Sequence, residues 1–308
     1  MENKDNILDM GNGFKGYYTN NIAPLLGELK NVKSKYKQKF WVFFWSALAI
    51  NCVNVLFLLF NVLIRGKNLV ITDITTLLFF SVVFVLVPFY MYNKENKPDY
   101  INMFFNFFGN FQTDNNKGLP VDSIFIPVGD KLITEEQVEG KLSSYHLNVV
   151  NVQSKVKLPK VNIERVISKG IYISMVMPIK MEHTIFWDKN AYNKNCNVKN
   201  LSEIQNINIP IANYFHIFSD NSDGTNNLLN VSFFEALLDI KDVFSASKIN
   251  VETENETISI YLEDAKFPLF VKDSLMKPCL QEKDFQKACE IVEKIVVWGE
   301  IVEELSSR

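Results

Sequence analysis

Cys52, Cys196, Cys279 and Cys289 could act as nucleophiles or thiolate ligands, and His146, His183 and His216 as general bases or metal ligands. No two of the cysteines form a C-x-x-C pair, and the histidines lie far apart without an H-E-x-x-H pattern, so neither set has ordinary zinc-ligand spacing. Cys52 falls inside a long apolar run. The other three are expected to face a reducing cytoplasm, so no disulfide framework is predicted. Inert buried thiols and structural histidines are the base expectation, because a free cysteine packs as a small hydrophobe. Cys279 or His216 with nearby carboxylates are the alternative, the seeds of an unfamiliar active site. The sequence has no G-x-S-x-G elbow, P-loop or dinucleotide-binding glycine fingerprint. No catalytic, cofactor-binding or metal-ligating residue is therefore assigned, and no cofactor is expected.

Residues 219–224 (SDNSDG) resemble the front of a calcium loop. Aligning Gly224 with the invariant loop glycine puts Ser219 at the first ligand position and Asn230 where a bidentate glutamate belongs, and both are wrong for an EF-hand. A surface turn after a strand is the better reading, since Asp, Asn, Ser and Gly are turn-formers.

The elements that would carry such residues are dominated by a membrane anchor. Residues 40–64 contain no charge, and residues 74–92 form a second uncharged run. A bilayer core of about 30 Å needs roughly 20 helical residues, so each run is long enough to span. Soluble core helices are rarely this apolar on every face. A short polar link, 65–73, makes the two runs antiparallel neighbours. The flanks set orientation: Lys30, Lys33, Lys35, Lys37 and Lys39 precede the first run, Lys94 and Lys97 follow the second, and the link offers only Arg65 and Lys67. The positive-inside bias places both termini in the cytoplasm. A cleaved signal peptide would need a shorter apolar region close to the N-terminus, whereas here 39 polar residues come first.

Ser46, Asn51, Asn54 and Asn61 fall on one broad side of the first span. They are candidate intramembrane helix contacts, with two readings left open. One is packing on the second span through Thr75, Thr76 or Ser81; the other is a contact between copies of the chain. With no ionisable residue inside either span, an ion pathway is the weakest reading. Before the span, Pro24 fits the first turn of a helix capped by Asn20 or Asn21. Leu25, Leu29, Val32 and Tyr36 then form an apolar stripe, and no breaker separates this helix from Phe40. The lysines of this stretch would lie at headgroup level, chiefly fixing topology.

Overall the chain has 308 residues, 25 of them Phe, and a net charge of −3. That charge argues against a dedicated nucleic-acid partner. Residues 93–308 hold 23 basic and 30 acidic side chains, so the domain is acidic and should stand off an anionic membrane. A helix is predicted over 100–111, with Gly109 weakening it. Candidate strands are 156–158, 161–167, 171–178, 183–187, 214–218, 248–253 and 257–262, with Glu254, Asn255 and Glu256 closing a hairpin. Residues 228–244 and 282–305 read as helices. The predicted class is membrane-anchored α+β: segment 1–39 with a helix from about 24, spans 40–64 and 74–92 around link 65–73, and a cytosolic α+β domain over 93–308.

Several short motifs resemble the bacterial membrane-protein family known as domain-of-unknown-function family 3137. They are Tyr18, Ile22, Pro24, Leu25 and Leu29 before two closely spaced spans; Lys-Gly-Ile-Tyr-Ile at residues 169–173; and Phe-x-Ile-x-Ser-Asp at 215–220, followed by Leu228-Leu229 and a Phe-containing helix. Where that family often has charged residues before the Leu-Leu pair, this chain has Asn226 and Asn227. The resemblance implies a two-span bacterial inner-membrane protein with a cytosolic domain, and it transfers no catalytic residue. The expected function is a membrane-anchored interaction or scaffold protein whose partners are the lipid bilayer and either another protein or itself. The alternative is a membrane-tethered enzyme.

Overall fold

The computed structural model describes residues 10–65, 71–113, 123–127, 129–142, 145–158, 163–191, 198, 200–205, 207, 209, 213–221, 225, 227–271 and 273–307. The chain divides into two compact units, one of residues 19–100 with 272–280, the other of residues 1–18, 101–271 and 281–308.

Helix formation begins earlier than Pro24. The run opens as α1 (Met10–Tyr17), passes through a π turn (Tyr18–Ile22) and continues as α2 (Ala23–Arg65). Pro24 does stand in the first turn of α2, but Asn20 and Asn21 lie in the π turn, inside a helical run that is already under way and not at its start. Proline cannot donate a backbone hydrogen bond, and the widened turn immediately before it lets the helix extend past that gap. α2 belongs to a helical stretch, Gly13–Phe60, whose most apolar window has a mean hydropathy of 2.1 with only 6% of its residues buried. By length and composition it can cross a membrane, and little of it is covered within the chain.

In the same unit α3 (Ile71–Lys94) packs on α2, with Pro88 inside it. Ring pairs join Tyr36 to Tyr92 at 5.9 Å, Phe40 to Phe89 at 5.4 Å and Phe43 to Phe84 at 4.4 Å, and the Asn51 amide donates to Ser81 Oγ at 2.7 Å. Numbers rise along one helix as they fall along the other, so the pair is antiparallel. From Phe40 to Phe60 the covered positions of α2 are Phe40, Phe44, Ala47, Asn51, Asn54 and Leu58, at alternating steps of four and three, with Phe43 and Ser46 beside them, while the rest of this stretch is exposed.

The other unit is built on an antiparallel sheet. Its strands are β1 (Gly109–Thr113), β2 (Lys131–Leu142), β3 (Tyr145–Lys157), β4 (Glu164–Asp188), β5 (Ser202–Glu203), β6 (Phe215–Ser219) and β7 (Lys248–Glu263). Their order is β1-β2-β3-β4-β6-β5, with β7 paired to β4. α4 (Tyr100–Phe105), α5 (Val231–Val243) and α6 (Glu282–Ser306) complete the elements among the described residues.

Several sequence expectations change here. The strands predicted at 171–178 and 183–187, and the part of 161–167 from Glu164 on, merge into the single 25-residue β4, with 161–162 outside the described residues; those at 248–253 and 257–262 merge into β7. Glu254, Asn255 and Glu256 therefore close no hairpin. Asn255 instead adopts a left-handed φ of 55° at a bulge, opposite the break in β4 pairing between Val176 and Met181. Pro178 sits in that break, where no ladder hydrogen bond needs its missing donor. The bulge also switches faces: Tyr172 and, beyond the break, Ile185 and Trp187 all join one core cluster, although they differ in parity along the strand. The predicted helix over 100–111 stops at Phe105, and Phe111 lies in β1; Gly109 is pressed against the Lys141 carbonyl, which only a residue without Cβ allows. The helix expected from Leu228 begins at Val231, capped by the Asn230 side chain on the Ser232 amide.

One sheet face packs on α5 and α6, through contacts such as Phe233 with Phe186 and Trp298. The other carries the cluster of Val150, Val152, Tyr172, Trp187, Phe218 and Tyr261, closed by Phe125 and Ile126. Phe14 of α1 stacks edge-on against Phe104, and Tyr18 packs on Phe285.

Candidate functional site

The residues selected from the sequence converge most tightly in the helical unit, just before the apolar part of α2. Lys33 recurs with the buried residues Leu26, Leu29 and Tyr36 on one helix face, so the fold carries its ammonium inward. There it meets Asp273 at 2.5 Å and donates to the Lys277 carbonyl at 3.2 Å. Lys97, just beyond α3, reaches the same carboxylate at 3.0 Å, and the Tyr92 hydroxyl donates to it as well. Tyr36 donates to Glu95. Beneath this polar knot Leu275 is buried with Tyr36 and Tyr92, flanked by Val32, Phe40 and Phe89. Burial pulls the Asp273 carboxyl upward, but the hydrogen bonds from Lys33, Tyr92 and Lys97 outweigh it and hold the group below the usual carboxylate range.

This revises the role of one lysine in particular. Lys33 is 4% exposed and neutralised within the protein, not displayed at headgroup level, because it occupies the buried face of its helix. The other lysines divide by environment. Lys35 and Lys39 lie over the Tyr36 ring, Lys94 over Tyr90 and Lys97 over Tyr92. Lys30 and Lys37 line a cleft of about 350 Å³ together with Ser34, Trp41, Lys277 and Pro278. Of the intramembrane candidates, Asn51 bonds Ser81, Ser46 and Asn54 are half-buried, and the Asn61 side chain lies outside the described residues. Asp273, Lys277, Glu95, Tyr36 and Tyr92 were not singled out as site residues from the sequence. A nine-residue stretch far along the chain bears no local mark of a partner for α2.

In the sheet unit each histidine pairs with a glutamate. His216 Nδ1 lies 2.7 Å from Glu203 in a cleft of about 310 Å³ that Lys189 also lines. His146 lies 3.6 Å from Glu139 beside a cleft of about 720 Å³. His183 lies 3.1 Å from Glu252, whose carboxyl burial pushes up and the His183 hydrogen bond partly restores. Cys289 is buried against Glu293, and burial drives its thiol up to about 12, so it is a poor nucleophile. Cys279 is half-exposed, and Cys196 lies outside the described residues.

Ser219, aligned above with a calcium ligand, is buried and committed to a hydroxyl cluster with Thr184 and Thr225, at 3.3 and 2.6 Å. Residues 222–224 of that loop lie outside the described residues. Asp188, almost fully buried, takes Lys241 of α5 at 3.1 Å and the Ile249 amide at 3.4 Å, tying helix to sheet.

No protein-family model and no curated protein matches the chain. Among solved structures, the crystal structure of the mycobacterial trehalose monomycolate transport factor A, TtfA, is similar at a TM-score of 0.32 and 8% identity, over 56% of this chain and 76% of that one. A likeness that loose carries no argument about function.

Proposed function

We propose that this chain is a membrane-anchored interaction module of the domain-of-unknown-function family 3137 type. In this reading residues 40–64 and 74–92 cross a bacterial inner membrane as an antiparallel hairpin, with 65–73 outside and both termini in the cytoplasm. The observation that carries it is the uncovered apolar surface of α2, whose half-buried polar residues Asn51 and Asn54 share the face toward α3 while its other faces expose Trp, Leu, Val and Phe side chains. An uncovered apolar surface of that length suits the hydrocarbon of a bilayer.

The cytoplasmic sheet domain then presents the end of the β3–β4 hairpin to a protein partner. Leu158 and Ile163 are joined by a 3.1 Å backbone hydrogen bond, Val166 pairs across from Lys155, and all three apolar side chains are exposed with Ile167 and Leu132. Cross-linking in intact cells, compared between the native chain and Ile163→Lys with Val166→Lys, tests this. A stoichiometric adduct lost in the variant is expected, with the membrane fraction unchanged; an identical adduct pattern refutes the tip as the contact.

A second reading, a membrane-tethered enzyme, is favoured by the His216–Glu203 pair lining its own cleft with Lys189. Turnover of any screened substrate that His216→Gln abolishes would move the assignment to it.

A further inference from the structure

We propose that the cleft between α2 and residues 277–278 binds the phosphate of an anionic phospholipid from the surrounding bilayer; this rests on the membrane-anchor reading. Lys30, Ser34, Lys37 and Trp41 recur at steps of four, three and four, so they line one face of α2, and Lys277 and Pro278 form the opposite wall of a cavity of about 350 Å³. That volume falls within the range of small-molecule sites.

The charges are unbalanced. Lys33 spends its charge on Asp273, and Lys35 and Lys39 lie over the Tyr36 ring. Lys30, Lys37 and Lys277 have no ion pair among the described residues, so three ammonium groups border one cleft without an anion. The walls themselves are mainly apolar, formed by the Trp41 ring, Pro278 and the lysine stems. A free phosphate would use only the cationic rim, whereas an amphiphile uses both. Trp41 is half exposed at the second residue of the uncharged run, the level at which interfacial tryptophans sit. Basic pockets on the cytoplasmic side of spanning helices have the chemistry to hold phospholipid headgroups.

The test uses the full chain in detergent, titrated with phosphatidylglycerol, phosphatidylcholine or sodium phosphate, with bound lipid counted by native mass spectrometry. Phosphatidylglycerol should bind tighter than phosphatidylcholine by about tenfold or more. Lys30→Gln with Lys37→Gln and Lys277→Gln should remove that preference. The Arg versions of the same three should keep it, as should Lys35→Gln with Lys39→Gln, whose charges lie outside the cleft. Equal retention of the two lipids, full binding by the triple Gln variant, or displacement of the lipid by sodium phosphate would each overturn the proposal. Extraction of native membranes with alkaline carbonate separates the two failures. Release without detergent would overturn the anchor reading and this proposal together, whereas a pelleted protein without lipid preference would overturn this one alone.

Discussion

Asp273 is the acceptor on which two lysines and a tyrosine converge, and its loss would leave Lys33 buried beside a neutral group. Breaking a buried pair from one side costs about 3–5 kcal/mol. Asp273→Asn should therefore lower the stability of the full chain in detergent by about 3 kcal/mol, read from its thermal or urea midpoint. The carboxyl is held below its ordinary range, so its stabilisation is fully present above the unfolded value of about 4 and is lost as pH falls through the lower native value. The gap between native and Asp273→Asn midpoints should stay constant from neutral pH to about 5 and close below about 4. A gap that persists in acid would show that Asp273 acts by packing and not by charge. The lysine run was legible in the sequence as a basic flank, but its internal division was not. Lys33 and Lys37 have the same composition around them and differ only in which helix face meets the rest of the fold.

Two elements have consequences that can be measured. In β4, Gly170 lies so close to the Leu262 carbonyl of β7 that an added Cβ would stand 2.1 Å from that oxygen. Gly170→Val should force the strands apart and destabilise the chain by about 3 kcal/mol or more, seen as a lowered midpoint and faster proteolysis within residues 248–263. A native-like midpoint would mean the pairing shifts to accept it. Between α2 and α3, Asn51 already has a partner within the chain, so Asn51→Leu should cost about 0.6–2 kcal/mol of helix-pair stability. It should leave the cross-linked oligomer pattern of intact membranes unchanged, also when combined with Asn54→Leu. Loss of an oligomer band would assign these amides to a contact between copies instead. The individual strand segments of β4 and β7 could be read from their β-branched and aromatic content, yet their merger could not. Pro178 and the Glu-Asn-Glu stretch look like chain breaks until the bulges of the facing strand are known.

At the scale of the molecule, the proposed topology predicts which chain segments face outward. In a chain whose native cysteines are replaced by serine, a cysteine introduced at Lys67 should react with a membrane-impermeant maleimide added to intact cells. One introduced at Lys94 should react only after the cells are opened. Equal labelling of both positions would refute the hairpin. A helix long and apolar enough to cross a membrane was legible from residues 40–64 alone. Length and the absence of charge are written in consecutive residues, so no distant partner is needed to recognise such a helix. β2 and most of β3 went unread for the opposite reason: Glu135, Glu136, Glu139, Asn148 and Asn151 break the apolar alternation, and pairing in the sheet is what makes those residues strand. The knot of Lys33, Asp273 and Lys97 belonged to the same class. Local hydrophobicity and charge act through the solvent and are written residue by residue, whereas ion pairs, strand register and buried faces depend on groups distant in the chain, which folding alone brings together.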